Sequence, residues 1–337
     1  MATVQTLKNS KMKAVVCTKY GVPEVLKFVT LDKPIPKDNE ILIKNYATTV
    51  TVADCRVRGF DVPASFWLPA KFAIGFSKPR QSILGSELSG VIEGVGKNVT
   101  KYKVGDEIFA FTDHKLGAYA EFVCLNENQS IAIKPQNLSF EQSAALSFGG
   151  ISALYFLKKV NIKKEEKILI YGASGSVGTY AVQLAKYFGA TVTGICSTDN
   201  LELVKKLGAD NVIDYTKTDL AGITEKFDIV FDAVGKADIS KSIRLIKSNG
   251  RYIHAVATPF NEIKIRLKLL NTKIKFIGGS STATVEQINF IRKLAEEGIV
   301  LPIIDRYFSF DEIVSAHEYV DRGHKKGNVT IRIIDKK

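Results

Sequence analysis

Apolar and polar positions follow two different rhythms along this chain. Up to residue 123 the apolar residues come in short runs separated by turn residues, as at 13–18, 40–48, 84–96, 104–111 and 117–123, with links such as Lys33-Pro34-Ile35-Pro36-Lys37-Asp38-Asn39. This predicts a β-rich first part. Residues 60–83 break the rhythm, because Phe60, Phe66, Trp67, Leu68, Phe72, Ile74 and Phe76 are interleaved with Pro63, Pro69 and Pro79. They read as an irregular, aromatic-rich loop that covers a site, makes a subunit contact or simply packs. Helical spacing takes over at 139–147, where Ser139 has Gln142 three residues on, a capping pattern, and again at 151–160.

The stretch 167–190 organises the rest. Ile168-Leu169-Ile170-Tyr171 is short and apolar, as a strand buried on both faces is. Glycines follow at 172, 175 and 178, then Val177, Ala181, Leu184, Ala185 and Phe188 recur at helical spacing until Gly189. Strand-like and helix-like pieces alternate afterwards at 201–207, 211–215, 227–231, 239–247, 250–256 and 273–277. That alternation predicts a doubly wound parallel sheet in an α/β protein. The tail adds helices at 285–297 and 311–320 and a strand at 328–334. It is too small to fold alone, so it is expected to complete the β-rich domain. The expected layout is a first domain at 1–135 and 279–337, with a nucleotide-binding domain at 136–278 inserted in it.

Composition narrows the class. The 337 residues are 45% apolar and 24% charged, enough for a large core. No run of 18 apolar residues occurs, so no transmembrane helix is expected. The first residues lack a secretory apolar region and are too Arg-poor for a transit peptide. The expectation is a soluble, cytoplasmic protein. Cys17, Cys55, Cys124 and Cys196 are scattered, and Cys17, Cys124 and Cys196 stand in strand-like contexts that suit small buried residues. The four histidines show no ligand spacing. A net charge of +12 suits nucleic acid, an anionic membrane or a polyanionic cofactor. The lysines are spread rather than blocked, so nucleic acid is not expected.

The chemistry concentrates at the glycine turn. G-x-x-G-x-x-G between a strand and a helix brings backbone N–H groups to a diphosphate at a helix start. Thr191-Val192-Thr193-Gly194-Ile195-Cys196 reads as the next strand. An NAD-specific unit places a carboxylate at that strand's end; here Ser197 stands 19 residues past Gly178. A hydroxyl there donates to a 2′-phosphate that a carboxylate would repel. The cofactor expected is therefore NADPH, although Asp199 argues the other way.

Assembled, these segments resemble the medium-chain dehydrogenase/reductase superfamily, and within it the zinc-free quinone oxidoreductase-like branch. The likeness runs from Met12 to Ile334. Its marks are Gly85-Ser86-Glu87-Leu88-Ser89-Gly90, Val104-Gly105-Asp106, Gly117-Ala118-Tyr119-Ala120-Glu121, Ala173-Ser174-Gly175-Ser176-Val177-Gly178, Leu207-Gly208-Ala209-Asp210, Phe231-Asp232-Ala233-Val234-Gly235 and Gly323–Val329. The resemblance implies a GroES-like catalytic domain, an inserted Rossmann domain, a cleft between them and a homodimer. Zinc relatives carry a histidine between the Gly and Glu that match Gly85 and Glu87, and a cysteine near Val52. This chain has Ser86 at the histidine's place, lacks the four-cysteine structural lobe and offers no tetrahedral set of N or S ligands, so no metal is expected.

The resemblance also implies roles. Ala173, Ser174, Gly175, Ser176, Val177 and Gly178 bind the diphosphate, while Ser197, Asn200 and Tyr215 match positions lining the 2′-phosphate. Val234, Ala255, Val256 and Ala257 lie along the ribose and nicotinamide. Ser152 replaces a threonine that reaches the nicotinamide. On the acceptor side, Thr51 and Arg56 stand where relatives have Asn and Tyr. Thr51 orients an acceptor carbonyl if it faces the nicotinamide, and Arg56 either stabilises a developing anion or forms a surface ion pair. Asp54 reads as a cap rather than a base. Lys325 or Lys326 stands in for a lysine usual at Asn328. Without a Lewis acid, hydride transfer to an electron-poor small-molecule acceptor, a quinone or an α,β-unsaturated carbonyl, is the reaction expected. The alternatives are an enoyl-thioester reductase, an alcohol or polyketide-type dehydrogenase, and a non-catalytic dinucleotide sensor that binds RNA or an anionic membrane.

Overall fold

The two rhythms of the sequence become two compact units. The computed structural model describes residues 10–62, 67–256 and 259–334. In chain order the elements are β1 (Lys11–Cys17), β2 (Leu26–Asp32), β3 (Glu40–Val50), α1 (Val52–Gly59), α2 (Trp67–Ile74), β4 (Glu87–Val95), β5 (Glu107–Phe111), β6 (Phe122–Asn126), β7 (Ser130–Ile133) and α3 (Phe140–Ala144). Next come α4 (Ser147–Lys159), β8 (Lys167–Tyr171), α5 (Ser176–Tyr187), β9 (Thr191–Cys196), α6 (Leu201–Lys206), β10 (Asn211–Asp214) and β11 (Phe227–Asp232). They are followed by α7 (Ile239–Arg244), β12 (Ile246–His254), α8 (Pro259–Lys268) and β13 (Lys275–Gly278). The tail holds α9 (Val285–Glu296), β14 (Ile304–Ser309), α10 (Ile313–Asp321) and β15 (Asn328–Arg332).

The first unit draws on Met1–Phe148, Thr284–Glu296 and Ile304–Lys337. Its main sheet runs β14-β15-β3-β4-β5-β7, with β6 paired to β3, and β1 and β2 form a separate antiparallel pair. The tail completes this unit in register: β15 lies antiparallel to β3, with Val329 opposite Val50 and Ile331 opposite Thr48. One buried cluster joins Val15, Leu84 and Tyr119 to Ile313, Ala316 and Ile331, so residues far apart in sequence share one core. Burying such surface is the main favourable term in holding the tail there.

The second unit comprises Gly149–Ala283 and Glu297–Ile303. Its sheet is parallel throughout, in the order β10-β9-β8-β11-β12-β13. The chain therefore reverses its direction of travel across the sheet between β8 and β11, the place where doubly wound folds bind ligands. Ile168, Leu169 and Ile170 of β8 are buried, as a central strand covered by helices on both faces requires.

Two segments differ from the sequence reading. Residues 52–59, expected within a β-rich stretch, form α1, because Thr51 and Asp54 make a reciprocal capping box that starts a helix. Within 60–83, expected as an irregular loop, Trp67–Ile74 is helical, with Pro69 in the first turn where it removes no helical hydrogen bond; residues 63–66 lie outside the described residues. Cys17 and Cys196 are buried as expected, but Cys124 is only half-buried.

Helix α2 is tied down by a cation. Lys71 Nζ lies 4.4, 4.3 and 5.0 Å from the ring centres of Tyr20, Phe60 and Trp67 and donates to the Phe76 carbonyl. A desolvated cation over aromatic faces contributes on the order of 1–2 kcal/mol. Lys71→Met is therefore expected to reduce hydrogen-exchange protection of the α2 amides roughly tenfold, with β3 and β4 unaffected. Unchanged α2 protection would show that the cage does not hold the helix.

Candidate functional site

In the second unit the glycine turn is shaped by contact. Gly172 has φ +76, and a Cβ on Gly178 would stand 2.1 Å from the Gly172 carbonyl oxygen. Both positions therefore exclude a side chain, and α5 starts hard against the end of β8. Gly175 is the N-cap of α5, and no side chain caps that end. The first-turn N–H groups have no intrahelical partner and, together with the helix dipole, suit a diphosphate. Ala173 is buried and its N–H donates to Ile195 O at 3.0 Å, while Ser174, Ser176 and Val177 are half-buried around the turn.

The expected ribose end lies at the tips of β9 and β10. Ser197 follows β9 and is half-buried. Asn200 Nδ2 donates to Ser197 Oγ at 3.0 Å, so the serine's own proton points elsewhere. Asn200 Oδ1 is buried without a partner. Tyr215 is 47% exposed, its ring stacked with Tyr171 at 6.4 Å, while Asp199 is exposed.

At the tips of β11 and β12, Asp232 does work that the sequence reading assigned to no residue. It is fully buried. Its carboxylate accepts from the N–H groups of Val234 at 3.0 Å, Gly235 at 2.7 Å and Ala237 at 3.2 Å, which fixes the loop that carries Val234. Ala255 N–H donates to Asp232 O at 3.0 Å, and Val256 packs near Gly235. Ala257 lies outside the described residues. Ser152, on α4, is buried, with its Oγ 3.0 Å from Ser281 Oγ. The tight turn, the uncapped helix and the orphaned Asn200 oxygen fit a dinucleotide held by these residues.

The first unit holds a buried polar chain. Thr51 caps α1: its Oγ donates to Asp54 Oδ2 at 2.6 Å and accepts from Asp54 N–H at 3.1 Å. Burial is the largest influence on Asp54 and raises its carboxyl pKa to about 6, against bonds from Thr51 that lower it. Arg58 donates to His317 Nδ1 at 3.1 Å and to Asp321 at 2.6 Å. Nδ1 thus acts as acceptor, leaving His317 Nε2 to donate to the Tyr119 hydroxyl at 3.1 Å. Burial and the Arg58 charge push His317 down to about 3, so it is neutral. Cys55 Sγ also faces Nδ1 at 3.4 Å, and burial pushes its thiol pKa up. Arg56 is exposed on α1.

A second buried carboxylate, Glu87, receives Thr49 Oγ, Ser147 Oγ and the Phe148 N–H. Burial raises it to about 7. Lys325 lies within its field: its Nζ donates to Gly327 O, and burial lowers it to about 8, with Glu87 pulling the other way. The sequence reading passed over Glu87, Tyr119 and His317 as functional residues. Their partners are 38 to 262 positions away, and no local spacing encodes such meetings.

Among the described residues no three His, Cys, Asp or Glu side chains are grouped to hold a metal ion. Ser86 stands between Gly85 and Glu87, and Glu87 is already filled by three donors. Zinc needs a near-tetrahedral set of N, S or O ligands, which these residues do not form, so no step below uses a metal.

Comparison with known proteins covers nearly the whole chain. The family model "Alcohol dehydrogenase GroES-like domain" matches residues 37–136, and "Zinc-binding dehydrogenase" matches 207–331. The chain is 33% identical over 340 residues to a 2-methylene-furan-3-one reductase of Solanum lycopersicum, covering 96% of this chain and 80% of that one. It is 30% identical to an NADPH-dependent alkenal/one oxidoreductase, chloroplastic, of Arabidopsis thaliana, over 95% and 79% of the two chains. Among solved structures, the quinone oxidoreductase from Coxiella burnetii matches with a TM-score of 0.86 at 29% identity, covering 96% of this chain and all of that one.

Proposed function

The chain belongs to the medium-chain dehydrogenase/reductase superfamily, in its quinone oxidoreductase-like branch of NAD(P)H oxidoreductases, and on that premise we propose that it is an NADPH-dependent reductase of quinones or α,β-unsaturated carbonyls. The observation that carries the cofactor choice is Ser197 at the tip of β9, its Oγ accepting from Asn200. A hydroxyl so held keeps its own proton free to donate to a 2′-phosphate. The net charge of +12 favours the same polyanionic ligand. The acceptor class is supported by the activities for which the relatives are named and by a donor set that does not fit zinc.

When bound, reduced nicotinamide supplies hydride. The chain's part is to hold the diphosphate at the start of α5, the phosphorylated ribose at Ser197 and Asn200, and the ring side along Val234, Ala255 and Ser152. Hydride adds to the β-carbon of an enone, the C=C pair shifts to the bond between the α-carbon and the carbonyl carbon as the C=O π pair moves onto oxygen, and a solvent proton adding at the α-carbon restores the carbonyl. For a quinone, hydride and one proton give the hydroquinone.

Fluorescence titration with NADPH and NADH tests the reading. Wild type is expected to prefer NADPH by roughly tenfold or more, and Ser197→Asp to lose or reverse that preference, since a carboxylate facing a phosphate costs on the order of 1–3 kcal/mol. Equal affinities in wild type, or a preference that survives in Ser197→Asp, would defeat the NADPH assignment. NADPH oxidation that requires added benzoquinone or benzylideneacetone tests the acceptor class.

A further inference from the structure

Most hydroxyls around the start of β4 are spoken for. Thr48 Oγ donates to Glu87 O, Thr49 Oγ to the Glu87 carboxylate, Ser89 Oγ to Ile108 O and Ser147 Oγ to Glu87 Oε1. Thr51, which the sequence offers as the group that orients an acceptor carbonyl, donates its proton to Asp54. Ser86 is the exception. It is 6% exposed, and its Oγ is buried with no hydrogen-bond partner. Such an orphan costs about 1–3 kcal/mol, and native structures contain few of them. The other orphan hydroxyl described in this unit, Thr330, is fully enclosed within β15, whereas Ser86 immediately precedes β4, outside the strand ladder.

The backbone around Ser86 gives it no route to a partner. Thr112 N–H donates to Ser86 O at 2.8 Å, and Ala118 N–H to Gly85 O at 3.1 Å. Gly85 has φ +89, and any Cβ there would meet the Tyr119 ring at 2.6 Å. The peptide carrying the hydroxyl is thus fixed from both sides, and its neighbour Glu87 is already filled. A donor held rigid, desolvated and unused is what stabilisation of developing charge requires.

We infer that Ser86 Oγ is the hydrogen-bond donor to the carbonyl oxygen of the electron acceptor, strengthening its bond as that oxygen gains negative charge. This rests on the reductase reading above and moves the carbonyl-orienting role from Thr51 to Ser86. Ser86 forms no covalent bond and keeps its proton, and the proton that completes the reduction comes from solvent.

The test uses the full chain with NADPH, benzylideneacetone as acceptor, and its saturated counterpart benzylacetone as a ligand that cannot be reduced. Ser86→Ala deletes only the orphan hydroxyl, so it is expected to fold with equal or higher melting temperature and unchanged NADPH affinity. Its kcat/KM for benzylideneacetone is expected to fall roughly 100-fold, and benzylacetone binding to the NADP+-loaded protein, read by calorimetry, about tenfold. Ser86→Thr, which keeps the donor, is expected to recover part of both. If Ser86→Ala turns over and binds benzylacetone like wild type, the hydroxyl is satisfied by water alone and the inference is overturned, while the reductase reading stands. If wild type reduces neither benzylideneacetone nor benzoquinone, the reductase reading fails, and benzylacetone binding alone decides Ser86: weaker in Ser86→Ala supports the subsite, equal removes it.

Discussion

Gly178→Ala is expected to empty the dinucleotide site of the second unit. A Cβ at Gly178 would lie 2.1 Å from the Gly172 carbonyl oxygen and 2.9 Å from Ala173 backbone atoms. Neither neighbour is a flexible side chain that can swing away. The turn is itself constrained, since Gly172 stands at φ +76 with Val234 Cγ2 filling the place its own Cβ would take. Relief therefore requires α5 to back away from β8, which removes its first-turn N–H groups from the diphosphate. Losing two charge-assisted hydrogen bonds at about 1.5 kcal/mol each predicts a roughly 100-fold or greater fall in NADPH affinity. The repacking adds about 1–3 kcal/mol of destabilisation, a melting shift of several degrees for a unit of this size. Gly222→Ala is the control, because nothing lies within 4 Å of a Cβ there and no left-handed φ is involved. It is expected to leave both quantities unchanged. Gly178→Ala binding NADPH like wild type would show that the turn holds no diphosphate.

That turn also marks what the sequence makes legible. Strand, three glycines and helix are all local, and so is the alternation that yields the parallel sheet around β8. The capping role of Asp54 is equally local and legible, but the β-like rhythm on either side hides the helix α1 that it starts. Helix α2 was obscured by its prolines and aromatics, which signal irregularity unless a proline falls in a first turn. The buried polar residues were illegible for a different reason. Asp232 looks like one residue of a short motif, and only folding shows its carboxylate gathering three backbone N–H groups. Ser86 looked significant only as a missing metal ligand; its orphaned hydroxyl depends on which neighbours take the other donors and acceptors. Arg58, Tyr119 and His317 meet because the tail pairs with β3, and partners 198 and 259 positions apart leave no periodic trace.

That last cluster yields a pH-dependent result. In the folded chain His317 is neutral down to about pH 3, because burial and the adjacent Arg58 guanidinium oppose its protonation. In the unfolded chain it takes up a proton near the ordinary value of 6.5. Below pH 6.5 the unfolded state therefore binds the extra proton, so the stability associated with a neutral His317 is complete above that pH and is lost progressively as pH falls toward 3. Between pH 7.5 and 5 this loss amounts to about 2 kcal/mol. Asp54 and Glu87, raised by burial to about 6 and about 7, act in the opposite sense, since the folded state holds their protons longer. Wild type alone therefore shows only the balance, and comparison with His317→Gln isolates the histidine. Glutamine keeps an acceptor for Arg58 and a donor for Tyr119, but loses the edge-on ring contact with Tyr119 at 5.5 Å. His317→Gln is expected to be less stable than wild type at pH 7.5 by roughly 1–2 kcal/mol. By pH 5 that gap should close or reverse in urea denaturation, because only wild type bears the cost of keeping an imidazole neutral. A gap that is the same at both pH values would mean that His317 is already protonated in the folded chain. Arg58 would then face a cation, and the hydrogen bond it donates to Nδ1 could not exist.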